Sequence, residues 1–172
     1  MAEKVWLEKE DVKRLIFSCE RPIDRAIIQL GAWVGLRSHE MAGHKVGKCS
    51  KCGNKFYYNY GLEKAECPKC EERGVGTLID GEEKWEGLRV RDLQTKVIDG
   101  DQEYFLQVAG KQTAQERGEG KKKHREAYIP QKVASDLNMV IRMNDLSDED
   151  PLLPNRYGNF YTPKGIQKRV EK

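Results

Sequence analysis

The segment CSKCGNKFYYNYGLEKAECPKC, residues 49–70, holds four cysteines as Cys49-x2-Cys52 and Cys67-x2-Cys70, with 14 residues between the pairs. No other feature limits the fold so strongly. Each Cys-x-x-Cys turn directs two thiolates at one point, and two such turns at this separation complete a tetrahedral zinc site. Four thiolates leave no coordination position for water or substrate, so one zinc ion here would be structural. Two disulfides are the competing reading. Against them, the opening MAEKVWLEKEDVKR lacks the apolar core of a secretory signal, and thiols stay reduced inside cells. A redox Cys-x-x-Cys needs one pair only. Metal binding would hold together residues 46–75, which carry too little apolar mass to fold alone. Phe56, Tyr57, Tyr58 and Tyr60 crowd between the pairs. They read first as the small core of that unit and second as a surface for stacking on bases. Cys19 stands apart, on an apolar helical face, and reads as a buried core residue.

Outside this segment, hydrophobic periodicity sets the elements. Val12, Leu15, Ile16 and Cys19 share one face of a helix over residues 7–19. Pro22 opens a second helix, with Asp24 in the first turn where the macrodipole favours a carboxylate. Ile23, Ile27, Leu30 and Val34 form its apolar stripe, Gly35 ends it, and Ser38 caps a short third helix through Met41. LRVRDLQT (88–95) reads as a strand or the approach to one, and EYFLQVAGK (103–111) as a clear strand. REAYIP (125–130) is a further strand, stopped by Pro130. The intervening QTAQERGEGKKKH is polar, glycine-punctuated and basic, which predicts a long hairpin tip. Val133, Leu137 and Val140 restore helical spacing over 131–143, SDEDPLLPNRYGNFYT reads as a loop, and PKGIQKRVEK begins another helix. The predicted fold is α+β: helices packed on a small antiparallel β-sheet with a long basic hairpin, plus a zinc-ribbon insertion.

The apolar fraction is 38%, and no apolar stretch approaches the roughly 20 residues of a spanning helix. The chain is therefore expected to be cytoplasmic, with no membrane partner. Its net charge of +3 says little about nucleic acid. The distribution says more: Lys111, Arg117, Lys121, Lys122, Lys123 and Arg125 gather around the hairpin tip, and residues 164–172 are again basic. Such patches can meet phosphates, although a solvated surface is the ordinary role of any one of them.

Four short motifs follow one another in a telling order. They are Gly35-Leu36-Arg37 with Glu40 three residues on, Leu88 to Asp92-Leu93, Val108-Ala109-Gly110-Lys111, and Lys123-His124-Arg125 running to Ile129-Pro130. In this order they resemble the first half of the catalytic domain of the tyrosine recombinase (phage integrase) family. The resemblance covers nearly the whole chain outside the zinc segment, making 1–172 a partial catalytic domain with 46–75 as an inserted zinc ribbon. It implies double-stranded DNA as partner and DNA recombination or integration as the process. Arg37 would hold the scissile phosphate through two parallel hydrogen bonds. Glu40, one helical turn away, would orient Arg37. Lys111 would protonate the leaving 5′ oxygen. Thirteen residues separate Lys111 from Arg125, a longer hairpin than the family's usual one, so Lys121, Lys122 or Lys123 could take the same place. With Arg125, these lysines are otherwise expected to contact DNA.

The family's chemistry also uses a His-x-x-Arg box and a tyrosine nucleophile. His39, His44 and His124 are the only histidines, and none has arginine three residues later. Tyr161 lies near the end but in the context of a loop, so it is not assigned as the nucleophile. Three readings stay open. The chain is a partial recombinase that binds DNA and cannot cleave it alone, with a second chain left to supply the missing half. Or it is an active integrase whose sequence extends past Lys172. Or it is a zinc-ribbon nucleic-acid-binding or transcription accessory protein without catalysis. In solution, off DNA, a monomer is expected.

Overall fold

A computed structural model describes residues 8–49, 51–53, 55–57, 76–78, 84–109 and 124–170. Within them lie five α-helices and a three-stranded antiparallel sheet. The helices are α1 (Lys9–Ser18), α2 (Pro22–Ala32), α3 (Ser38–Met41), α4 (Gln131–Met143) and α5 (Pro163–Val170). No helix among the described residues is long and apolar enough to cross a membrane. The periodic residues behave as their spacing predicts. Ile23, Ile27 and Leu30 of α2 are buried and meet Val133, Leu137 and Val140 of α4 in one core. Pro22 opens α2 in the first-turn position that needs no amide donor. Cys19 departs from expectation. It sits at the C-terminal cap of α1, half-buried, with its thiol donating to the Leu15 carbonyl at 3.2 Å. Burial there pushes the thiol pKa up.

The three-stranded sheet runs in the order β5 (Leu93–Ile98), β6 (Asp101–Ala109), β7 (His124–Ile129). LRVRDLQT is the approach to β5: Val90–Asp92 forms a 3₁₀ turn, and Asp92 accepts the Arg89 N–H at 2.8 Å. β5 continues to Ile98 and turns sharply at Asp99 (φ 51°) and Gly100 (φ 91°). Two left-handed residues in a two-residue loop match the right-handed twist of the hairpin they close. β6 alternates as a half-buried strand should: Leu106 and Val108 face the helices with Ala127 and Ile129 of β7. The opposite face carries Phe105 against Tyr128, ring centroids 5.8 Å apart, and a Lys96–Glu126 ion pair at 2.6 Å.

One polar cluster sits inside the helical layer. Gln29 of α2 is 1% exposed and donates to Asp136 Oδ2 at 2.8 Å, while Arg25 holds Oδ1 at 3.1 Å. This enclosed carboxylate is thus hydrogen-bonded at both oxygens, as burial of a polar group requires. It fastens α2 to α4.

A second, four-stranded sheet occupies residues 44–86. Its strands are β1 (His44–Cys49), β2 (Lys55–Tyr57), β3 (Gly76–Leu78) and β4 (Lys84–Glu86). β1 pairs antiparallel with β2 along one edge, and with β3 and β4 along the other. Strand pairing therefore begins before residue 46 and ends after residue 75. Among the described residues, the sheet joins the core at a neck. A Cβ on Gly43 would lie 2.4 Å from Phe160 Cβ, and one on Gly87 would lie 2.8 Å from Gly43 Cα. Only glycine permits this approach of the two chain segments beneath the Phe160 ring. The Gly43 N–H donates to the Tyr161 carbonyl at 2.9 Å, and the Arg89 guanidinium stacks over Phe160 at 5.2 Å.

Candidate nucleic-acid interface

The α2 stripe ends at Leu30, whose carbonyl accepts the Leu36 N–H at 2.9 Å across a turn with Gly35 at φ 73°. Glycine adopts this left-handed conformation without steric cost. The reversal buries Leu36 and leaves Arg37 extended and exposed at the cap of α3. Glu40, in the third helical position, reaches back so that its Oε2 accepts the Arg37 backbone N–H at 2.8 Å. This is the carboxylate half of a capping box. Glu40 thus holds Arg37 by its main chain, not by its guanidinium. Among the described residues, the Arg37 side chain pairs with no carboxylate.

The Glu40 carboxylate has a second partner. Arg125 of β7 approaches both carboxylate oxygens, with Nη2 3.3 Å from each and Nε 3.4 Å from Oε1. The Glu40 side chain is 5% exposed and the Arg125 side chain 43%. Burial pushes the Glu40 carboxyl pKa up. The Arg37 N–H and the Arg125 guanidinium together outweigh burial and hold it below the ordinary carboxylate value. One carboxylate faces two arginines, so the group carries one positive charge in excess. That excess rests on the exposed Arg37, which suits an oxyanion better than a protein carboxylate.

The structure brings Arg37, Glu40 and Arg125 together from a helix cap and a sheet strand. Sequence spacing placed Arg37 and Glu40 one helical turn apart and named Arg125 as a DNA contact, but gave no sign that Arg125 pairs with Glu40, 85 positions away. Lys111, Lys121, Lys122 and Lys123 lie outside the described residues. Tyr161 is buried, and its hydroxyl accepts a hydrogen bond from Arg169 Nε at 3.1 Å. Arg169 also reaches Asp24 Oδ1 at 3.5 Å, which ties α5 to the start of α2. Tyr161 is therefore a core residue.

Of the cysteine quartet, Cys49 ends β1, and Cys52 lies exposed in the turn leading to β2, next to Gly53 at φ 69°. Cys67 and Cys70 lie outside the described residues, as do Tyr58 and Tyr60 of the aromatic cluster. Among the described residues, no three His, Cys, Asp or Glu side chains converge as metal ligands. Compared with family models, with curated proteins and with solved structures, the chain finds no match in any of the three.

Proposed function

We propose that this chain binds double-stranded DNA through a phosphate-holding site of tyrosine-recombinase type, as part of a protein acting in DNA recombination or integration. One observation carries the reading. Glu40 takes the Arg37 main chain and the Arg125 guanidinium at once, so it fixes the Gly-Leu-Arg helix end against the strand that leaves the basic hairpin. Arg37, held at the backbone and unpaired with any described carboxylate, can then present two parallel N–H donors to a phosphate. The hairpin lysine, Lys111 or one of Lys121, Lys122 and Lys123, would be delivered to the same phosphate as proton donor to the leaving oxygen. The sequence contains no His-x-x-Arg box and no tyrosine in the family's nucleophile context. The chemistry assigned to these residues is therefore to bind and polarise a phosphodiester, with the nucleophile supplied by another chain or further sequence.

The zinc reading gains support from β1 and β2. Their antiparallel register, Val46↔Tyr57 to Lys48↔Lys55, makes the first Cys-x-x-Cys the turn of a hairpin. A hairpin turn is where a zinc knuckle directs two thiolates outward. Cys49, Cys52, Cys67 and Cys70 would hold one structural zinc, which would hold the sheet together without taking part in chemistry. The same hairpin favours the second reading, a zinc-ribbon nucleic-acid-binding or transcription accessory protein without catalysis.

Fluorescence anisotropy with a labelled DNA duplex separates the two. Arg37→Ala should weaken binding by about tenfold or more, the loss of a charged hydrogen bond, and reduce the slope of log affinity against log salt by about 0.9. If Cys49→Ser abolishes binding while Arg37→Ala changes neither quantity, the ribbon is the binding element and the recombinase-type reading fails.

A further inference from the structure

We infer that the turn Asn155–Phe160 is a second DNA contact, with Arg156 meeting a backbone phosphate and Tyr157 packing its ring against the adjoining deoxyribose. This rests on the DNA-binding reading and extends it to residues with no part in the phosphate site. The turn is built like a pedestal. Asn155 Oδ1 accepts the N–H groups of Tyr157 (2.8 Å) and Asn159 (3.2 Å), and Asn155 Nδ2 donates to the Phe160 carbonyl at 3.1 Å. The main chain closes the same loop: Asn155 N–H to Asn159 O at 2.7 Å, and Gly158 N–H to Asn155 O at 3.0 Å with Gly158 at φ 78°. Backbone groups at the tip are thus satisfied from within, and the conformation does not wait for a partner.

This rigid frame displays two side chains that the fold does not use. Tyr157 is 70% exposed, and Arg156 lies over one face of its ring, guanidinium carbon 4.5 Å from the centroid, while donating to its hydroxyl. An aromatic ring and an arginine fixed in register are the residue types that anchor interfaces, because little side-chain freedom remains to be lost on binding. Charge selects the partner. Residues 151–170 contain Arg156, Lys164, Lys168 and Arg169 and no Asp or Glu. Arg169 is engaged with Asp24, and Lys164 and Lys168 stand exposed on α5. The basic side chains of this segment, with a presented aromatic ring, fit the sugar-phosphate backbone of DNA, where the guanidinium takes a phosphate and the ring a deoxyribose.

The turn is also anchored close to the first site. Phe160 lies under Gly43, directly after α3, and Gln167 of α5 donates to Ser38 of α3 at 3.4 Å. Both segments therefore belong to the structure that positions Arg37.

The test uses the full chain, a labelled DNA duplex and a salt titration, with Arg156→Ala, Tyr157→Ala and Arg37→Ala side by side. Arg156→Ala should lower the salt slope by about 0.9, one phosphate contact. Tyr157→Ala should weaken binding about threefold or more, the loss of an apolar ring contact, and leave the slope unchanged. Both should keep the wild-type melting temperature, since neither side chain packs in the core. If both bind as the wild type does while Arg37→Ala weakens binding, the turn is no DNA contact and the first site stands. If the turn variants weaken binding and Arg37→Ala does not, the turn stands and the arginine site falls. A wild-type chain that fails to bind any duplex overturns both.

Discussion

Glu40→Gln is the most informative single change, because it removes a charge and keeps the shape. In the native protein the carboxylate accepts the Arg37 N–H at 2.8 Å and faces Arg125 at 3.3 Å. A hydrogen bond to a charged acceptor contributes about 1.5–3 kcal/mol, against about 1 kcal/mol for a neutral one. The amide oxygen of Gln still accepts the N–H, so roughly half of that contribution survives. The ion pair, with Arg125 substantially exposed, adds about 0.5 kcal/mol once solvent screening is counted. The total is about 1–2 kcal/mol, or a melting temperature lower by about 2–8 °C at neutral pH for a domain of this size. Because folding holds this carboxyl pKa below its ordinary value, the carboxylate's stabilisation is full above the unfolded pKa. It is lost as pH falls through the folded one. Asp150 is shifted in the same direction by its hydrogen bonds from Ser147, but it titrates in both proteins and cancels from the comparison. Urea unfolding of wild type and Glu40→Gln at pH 7 and at about pH 3 should therefore show a gap that is narrower in acid. A gap of the same size at both pH values would show that the carboxylate charge does not hold this site, and the argument for Arg37 would lose its basis.

Asp136→Ala should cost about 3 kcal/mol, because it strands Gln29 and Arg25 against α4; an urea midpoint within error of the wild type would refute that. Gly43→Ala should cost at least about 1–3 kcal/mol through collision with Phe160. Adding Phe160→Gly, which removes the Cβ as well as the ring, should recover part of it by thermal melting, whereas strictly additive losses would mean Phe160 is not the obstacle. Native mass spectrometry should find one zinc ion per chain, lost in Cys49→Ser and in Cys67→Ser alike. Retention of zinc by either variant would rule out the four-thiolate site.

Local patterns were legible where one face of an element meets the core. Ile23, Ile27 and Leu30 recur at the helical period, Leu106 and Val108 at the strand period, and Gly35 marks a helix end whatever packs around it. β5 was only half legible. It is an edge strand with five of its six residues exposed, so it shows no alternation; the Asp99-Gly100 turn signal was there, and the strand before it was not. Pairings across the chain had no signature. Gln29 and Asp136 are 107 positions apart, and Glu40 and Arg125 are 85 apart. None of these side chains announces its distant partner in the sequence; the packing of α2 on α4, and of β7 beside α3, brings each pair together. Cys19 shows the reverse: an apolar stripe position becomes half-buried when the helix ends there.

The neck at Gly43 and Gly87 makes the stretch beyond it a long closed loop of the core. His44 already pairs with Glu86, so the stretch 44–86 leaves and rejoins the core as neighbouring strands. Loop-closure entropy grows only logarithmically, and each doubling of length costs about 0.6 kcal/mol. Whatever is carried past that point can be lengthened, exchanged or cut back to a two-residue Asn-Gly turn without disturbing Ile27, Leu106 or Leu137. Among the described residues, the core and the cysteine-bearing sheet thus meet at one place, where Gly43, Gly87 and Phe160 crowd together, His44 reaches the His39 carbonyl and Arg89 the Trp85 carbonyl.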